Sequence, residues 1–345
     1  MTLQDLLGIE LPIIQAPMAG VQGSALAVAV SNAGGLGSLP CAMLDAAALQ
    51  RELAVLATHQ PRPFNLNFFC HSQPPADVPR EQQWRELLAP YYRELGLDPA
   101  AVSPAPARQP FSHAMADLLE DQPPAVISFH FGLPEPSLLQ RVKGWGSTVL
   151  SSATTVAEAR WLEAHGADAI IAQGLEAGGH RGMFLDHDLN GQLGTFALLP
   201  QVVQAVDLPV IAAGGIADAR GMAAALALGA AGVQVGTAYL LCPECSTSAV
   251  HRAALQSEAA ATTALTTLYS GRPARGIVNR LMRELGPLHP LAPAFPLATA
   301  GVAPLRAAAE ARGSGDFSPL WAGQNVSGCQ AIPAAELTRA LMVNL

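Results

Sequence analysis

Eight times along this chain a short apolar run stops at a glycine, a proline or a polar residue. The runs are Ile13–Met18, Leu36–Leu39, Phe64–Phe69, Ala125–Gly132, Thr148–Ser152, Ala169–Gln173, Pro209–Gly215 and Gly232–Thr237. Each has the length and unbroken apolarity of a strand buried on both faces, the pattern of a parallel sheet covered by helices. Gly23–Ala33, Asp45–Thr58, Thr155–His165 and Asp218–Leu228 carry helical spacing between the runs. Eight strands alternating with helices is the count of an α/β chain closed into a (β/α)8 TIM barrel, and 345 residues suit such a barrel with additions.

The additions are visible as breaks in the pattern. From His71 to Pro124, prolines and polar residues surround two helical stretches, near Arg80–Leu95 and Phe111–Glu120. That is longer than an ordinary strand-to-helix connection and reads as an insertion. After Leu241 the chain reads as helices and loops, with Ala334–Leu345 as one short helix. The expected organisation is a barrel over residues 1–241, interrupted at 71–124, and a region 242–345 lying over the site.

Barrels of this kind place their chemistry at the C-terminal ends of the strands. Polar and glycine residues collect there: Pro17 and Met18, Asn67, His130, Gln173, Gly214 and Gly215, Gly236 and Thr237. Loops after the seventh and eighth strands commonly build a phosphate site, and Gly214-Gly215 and Gly236-Thr237 stand there with backbone N–H groups to offer. The sixth strand runs into Gln173-Gly-Leu-Glu-Ala-Gly178-Gly-His180-Arg-Gly182, whose glycines let backbone approach a ligand closely. His180 is the ordinary acid/base group of that loop that titrates near neutral pH. His130 fits either a satisfied core position or a second group facing the site. Arg272 and Arg275, in Tyr269-Ser-Gly-Arg-Pro-Ala-Arg275, fit either a phosphate cover or a surface.

Composition removes other function classes. A net charge of −8 with no basic run argues against a nucleic-acid partner. No segment is apolar enough to span a membrane and the N-terminus lacks a basic leader, so the expected location is the cytoplasm. Five scattered cysteines make no disulfide framework. Cys242-Pro-Glu-Cys245 lacks two further zinc ligands at comparable spacing, and the fold is not the small one in which a redox pair opens a helix. No metal is expected.

Taken together, Gln15-Ala-Pro-Met18, Asn67, Phe129-His-Phe-Gly132, Gln173 through Gly182, Ala213-Gly-Gly-Ile216 and Gln234-Val-Gly-Thr237 resemble class I nitronate monooxygenases, formerly called 2-nitropropane dioxygenases. Ser270-Gly-Arg-Pro-Ala-Arg275-Gly and Leu320-Trp-Ala-Gly-Gln324 resemble the same class. The resemblance implies FMN and the oxidation of alkyl nitronates, such as propionate 3-nitronate, by O2 to carbonyl compounds and nitrite. It places Pro17, Met18, Asn67, Gln173, Gly178, Gly214, Gly215, Gln234, Val235, Gly236 and Thr237 around the cofactor. It makes His180 the active-site histidine and His130 a second histidine facing the substrate. Phe295 stands where the family pattern often has tyrosine, so no hydroxyl carries over to that loop. The implied partners are a small nitronate and O2, with a monomer or homodimer as the working unit. Two readings compete. One is an FMN-dependent NAD(P)H:quinone or enoyl-acyl carrier protein reductase, and the other a phosphate-binding barrel without redox chemistry.

Overall fold

A computed structural model describes residues 1–59, 61–100 and 108–343. Its strands are β1 (Ile13–Gln15), β2 (Gly37–Pro40), β3 (Phe64–Phe69), β4 (Val126–His130), β5 (Thr148–Ala153), β6 (Ala169–Gln173), β7 (Gly179–His180), β8 (Val210–Ala213), β9 (Gly232–Val235), β10 (Thr263–Thr266) and β11 (Ala274–Ile277). All but β7, β10 and β11 form one parallel sheet in the order β1-β9-β8-β6-β5-β4-β3-β2. The sheet closes where Gln15 N–H donates to the Leu36 carbonyl at 2.9 Å and Leu36 N–H donates to that of Ile13 at 2.8 Å. The eight strands expected from the apolar runs are these eight, so the fold is a (β/α)8 barrel.

Side chains alternate in and out along each strand, and that alternation builds two cores and the site. Ile14, Leu150, Ala169, Ile171 and Ile211 point inward and fill the barrel, with Leu3 and Leu7 of the helix Leu3–Leu7 packed against them. Ile13, Ile170, Ala172, Val210, Val233 and Val235 point outward and pack with helix residues such as Leu162, Leu198 and Met222. Gly37 shows how tightly the two shells meet, because a β-carbon there would lie 1.9 Å from the carbonyl oxygen of Ala27 in the helix Ser24–Asn32. Toward the C-terminal ends the inward positions become polar, with Asn67, Ser128, Ser152, Gln173 and Gln234 supplied by five different strands.

The interruption after β3 carries helices Val78–Glu94 and His113–Leu119, close to the expected stretches, while its residues 101–107 lie outside the described ones. The helix Val78–Glu94 is held by the far end of the chain. Trp84, Leu88 and Tyr92 share a core with Leu268, Leu281, Val302, Leu305 and Phe317, and the Tyr92 hydroxyl donates to the Gly301 carbonyl at 2.7 Å.

The helix-and-loop reading after Leu241 needs correction: β10 and β11 pair antiparallel, and β11 pairs again with β7. These strands are four residues or fewer. Their periodicity is too short to announce them, and the β7 partner of β11 lies roughly a hundred residues away along the chain. The last helix runs Ala334–Ala340, and the final two residues of the expected helix lie outside the described ones.

Candidate active site

One cavity of about 190 Å³ opens at the C-terminal ends of the barrel strands. Pro17, Met18, Asn67, His130, Gln173, Gly178, His180, Gly214, Gly215, Gln234, Gly236 and Thr237 all line it. Val235 does not. Its neighbour Gln234 takes the inward position, so Val235 faces the outer core and only its carbonyl serves the site region, accepting from Ala16 N–H at 2.8 Å. Phe131 also sits behind the wall rather than in it, 4% exposed and with a left-handed backbone at φ 70°.

The loop after β6 is held by its own polar side chains. Gln173 donates from Nε2 to the His180 carbonyl at 3.0 Å and accepts at Oε1 from Gly182 N–H at 2.8 Å. Arg181, fully buried, donates to the carbonyls of Gly174 at 2.6 Å and Gln173 at 2.8 Å and twice to Gln192 Oε1. Glu176 accepts from the N–H and hydroxyl of Thr195. Buried Glu158 accepts from Thr154 and from the N–H groups of Phe184 and Leu185 just beyond the loop. The result is a rigid frame ending in the two-residue strand β7, with His180 on it rather than on a free loop.

His180 Nε2 lies 2.8 Å from Ser270 Oγ, and that hydroxyl faces the Arg272 carbonyl at 3.4 Å. A carbonyl only accepts, so the arrangement is satisfied with Nε2–H donating to Ser270 and Nδ1 left unprotonated toward the cavity. Burial, and then the positive charges of Arg108 and neighbouring groups, hold His180 well below the usual histidine range. It is a neutral base at ordinary pH.

His130 lines the cavity, but both of its ring nitrogens are engaged by protein. Its Nε2 meets the His180 carbonyl at 3.2 Å, so it donates there, and its Nδ1 accepts from Ser152 Oγ at 3.2 Å. Both ring nitrogens are occupied, and burial pushes the group down to about 4. His130 therefore props the backbone of His180 and is not free to orient nitro oxygens. His71, buried beside Phe295 with ring centroids 4.8 Å apart, donates from Nε2 to the Arg108 carbonyl at 3.0 Å.

The open choice for the two arginines after β10 is resolved against a phosphate cover. Arg272 lies 3.9 Å over the Phe131 ring and donates to the Met183 carbonyl. Arg275 donates to the Leu175 carbonyl at 2.9 Å and to Thr263 Oγ1. Phe295 is buried with Phe69 and Phe131, its ring centroid 5.4 Å from that of His180. Cys242 and Cys245 are buried thiols pushed up to about 12 by burial, and Cys245 donates to the Tyr239 carbonyl. Among the described residues no cluster of three metal-ligating side chains exists.

At the other end of the cavity the backbone is arranged for an anion. Gly214 and Gly215 have φ of 111° and 73°, values that favour glycine, where the chain leaves β8. The N–H groups of Gly215, Gly236 and Thr237 have no protein acceptor among the described residues. The Thr237 hydroxyl already accepts from Gly323 N–H at 2.9 Å and keeps its proton for a ligand. Gln234 Oε1 is buried without a donor, an acceptor waiting for a ligand N–H or O–H. A β-carbon on Gly178 would lie 2.6 Å from the backbone of Ala322 and Gly323, so the loop and the C-terminal region meet edge to edge here. Trp321, Gly323 and Asn325, which line the same cavity, went unnoticed in the sequence as site residues. So did Ser270 and Arg181, although both lie inside motifs that stand out.

Comparison with known proteins agrees with this geometry. The family described as "Nitronate monooxygenase" matches residues 1–344. A nitronate monooxygenase from Pseudomonas aeruginosa is 45% identical over 349 residues, covering 99% of this chain and 97% of that protein. Nitroalkane oxidase from Streptomyces ansochromogenes superposes with a TM-score of 0.89 at 40% identity, over 98% of this chain and 96% of that one. FabK from Thermotoga maritima follows at a TM-score of 0.71 and 26% identity, over 99% and 95%. Identity of this extent along nearly the whole length, on the same barrel fold, makes this chain a member of the nitronate monooxygenase family.

Proposed function

We propose that this chain is an FMN-dependent oxidoreductase that oxidises alkyl nitronates, propionate 3-nitronate among them, with O2 to carbonyl compounds and nitrite. The observation that carries this reading is the pairing, in one cavity, of an uncharged histidine base with a backbone anion cradle. In this reading residues 1–241, interrupted at 71–124, bind the cofactor and 242–345 cover it.

FMN fits the residues present. Its phosphate would take the free N–H groups of Gly215, Gly236 and Thr237, and its polar ring or ribityl edge would answer the lone acceptor at Gln234. Among the described residues no Rossmann unit stands beside the cradle to hold the adenosine half of FAD. When bound, such a flavin supplies the transfer of electrons from the nitronate to O2. The protein's share is placement and one proton. His180 Nδ1 takes the α-proton of a neutral nitroalkane, with Ser270 fixing the ring and His130 fixing its backbone. For a nitronate already formed, the same residue only positions. The apolar wall of Met18 and Phe69 keeps water from the reacting carbon.

On this reading the enzyme acts in the cytoplasm on a small molecule, as monomer or homodimer; among the described residues no helix is long and apolar enough to cross a membrane. The test is a visible spectrum and product assay on purified protein. Nitronate should yield nitrite and consume O2 with no nicotinamide present, and the cofactor released by heat should have the mass of FMN. Reduction of the flavin by NADH within seconds, with nitronates inert, would hand the chain to the reductase reading.

A further inference from the structure

The arginines around the cavity divide into those already committed to protein acceptors and one that is not. Arg181 donates to Gly174, Gln173 and Gln192, Arg272 to Met183 with its Nε unpartnered, Arg275 to Leu175 and Thr263, and Arg252 to the carbonyls of Leu241, Cys242, Thr247 and Cys245. Arg108 lines the cavity, and its guanidinium has no hydrogen-bond or ion-pair partner among the described residues. Its contact is with an aromatic face, 5.5 Å from the Phe295 ring centroid, and Phe295 in turn sits 5.4 Å from the His180 ring. The backbone beneath it is pinned. The Arg108 carbonyl accepts from His71 Nε2 at 3.0 Å and from Gln73 Nε2 at 2.6 Å, both just after β3.

A half-buried guanidinium facing a cavity, with no protein acceptor among the described residues, is available to an anion that enters. No carboxylate lines the described cavity wall to play that part. Arg108 lines the same cavity as His180, and its positive charge is among the causes that hold His180 below the usual histidine range. In a nitronate the charge sits on oxygens one atom from the carbon that His180 would address. Arg108 and His180 line the same cavity and both neighbour the Phe295 ring.

We propose that Arg108 is a substrate-binding residue whose guanidinium takes the negative oxygens of the nitronate group and so sets the adjoining carbon beside His180. This rests on the nitronate reading of the cavity. Phe295 serves as the platform: its ring face holds the guanidinium plane. A tyrosine hydroxyl in that loop would be redundant with Arg108.

The experiment uses flavin-loaded enzyme and the variants Arg108→Leu, Arg108→Gln and Arg108→Lys. Nitrate, a planar anion of similar nitrogen–oxygen geometry, is titrated by calorimetry. In parallel, KM and kcat are measured for ethyl nitronate and for propionate 3-nitronate. Removing the charge should weaken nitrate by about 10-fold or more, and should raise KM for both nitronates by a similar factor with a smaller change in kcat. Lysine should restore part of the affinity, since it keeps the charge and loses the fork. Flavin content and melting temperature report whether each variant is folded, and the glutamine and lysine variants carry the test if leucine fails. Nitrate bound equally well by wild type and Arg108→Leu overturns the proposal. So does a loss confined to the carboxylate-bearing substrate, which would place the charge recognised on the tail. The nitrate titration decides Arg108 whatever the turnover, and wild-type turnover decides the nitronate reading whatever Arg108 does.

Discussion

Burial first, and then the positive charges of Arg108 and Arg272, hold His180 well below the usual histidine range. Nothing in the residue itself does. A proton-transfer role follows from that state, and Asn at this position keeps a hydrogen bond while removing the base. His180→Asn should therefore lose turnover of a neutral nitroalkane by ~10²-fold or more, and lose much less on the pre-formed nitronate. Steady-state kcat/KM on nitroethane and ethyl nitronate makes the comparison, and equal losses would reduce His180 to a binding group. Gly215 is the counterpart at the phosphate end. With φ at 73° and its N–H turned free, a branched residue there is strained and crowds the anion, so Gly215→Val should purify with little flavin by its absorbance ratio. A fully loaded variant would place the phosphate elsewhere. Both residues were legible in the sequence because one is a lone histidine among glycines and the other ends a strand. The role of His130 was not, since its two bonds go to Ser152 and to the carbonyl of His180, 22 and 50 residues away.

The loop between β6 and β7 is the element on which the site depends, and Arg181 is its fastener. Its guanidinium donates to the Gln173 carbonyl and to Gln192 Oε1, and also to the Gly174 carbonyl, which accepts from Ala177 N–H as well. Arg181→Met should cost about 3 kcal/mol in a urea titration, the order expected for orphaned acceptors, and should speed flavin loss on dilution, because the same loop carries Gly178 and His180. Unchanged stability and retention would mean the β7–β11 pairing suffices. The barrel strands could be read from their apolar runs, whereas β7, β10 and β11 could not. A two-residue strand has no period, and what makes Gly179 and His180 extended is the edge of β11 that they meet.

Across the whole molecule the buried histidines set an acid limit. His130 and His251 are both pushed down to about 4 by burial, and His71 and His180 are lowered in the same direction. The unfolded chain takes up protons at these groups near pH 6.5, and the folded chain refuses them at His130 and His251 until nearer pH 4. Unfolding thus binds protons within that window, so stability should fall as pH drops from about 6.5 toward 4. Urea midpoints measured across that range provide the check, and a flat line from pH 7 to 4 would contradict it. The same molecule shows where reading residues in order succeeds and where it stops. Period-two alternation places Gln173 and Gln234 inside and glycines at the strand ends, because side-chain direction along a strand is a local property. Val235 falls to the outer shell by that same rule, which a motif match overlooks. The uncharged state of His180, the burial of Arg272 on Phe131, and the joint core of Trp84 with Val302 had to await the fold. Each depends on groups far apart in sequence being brought together out of water, and no local pattern encodes that distance.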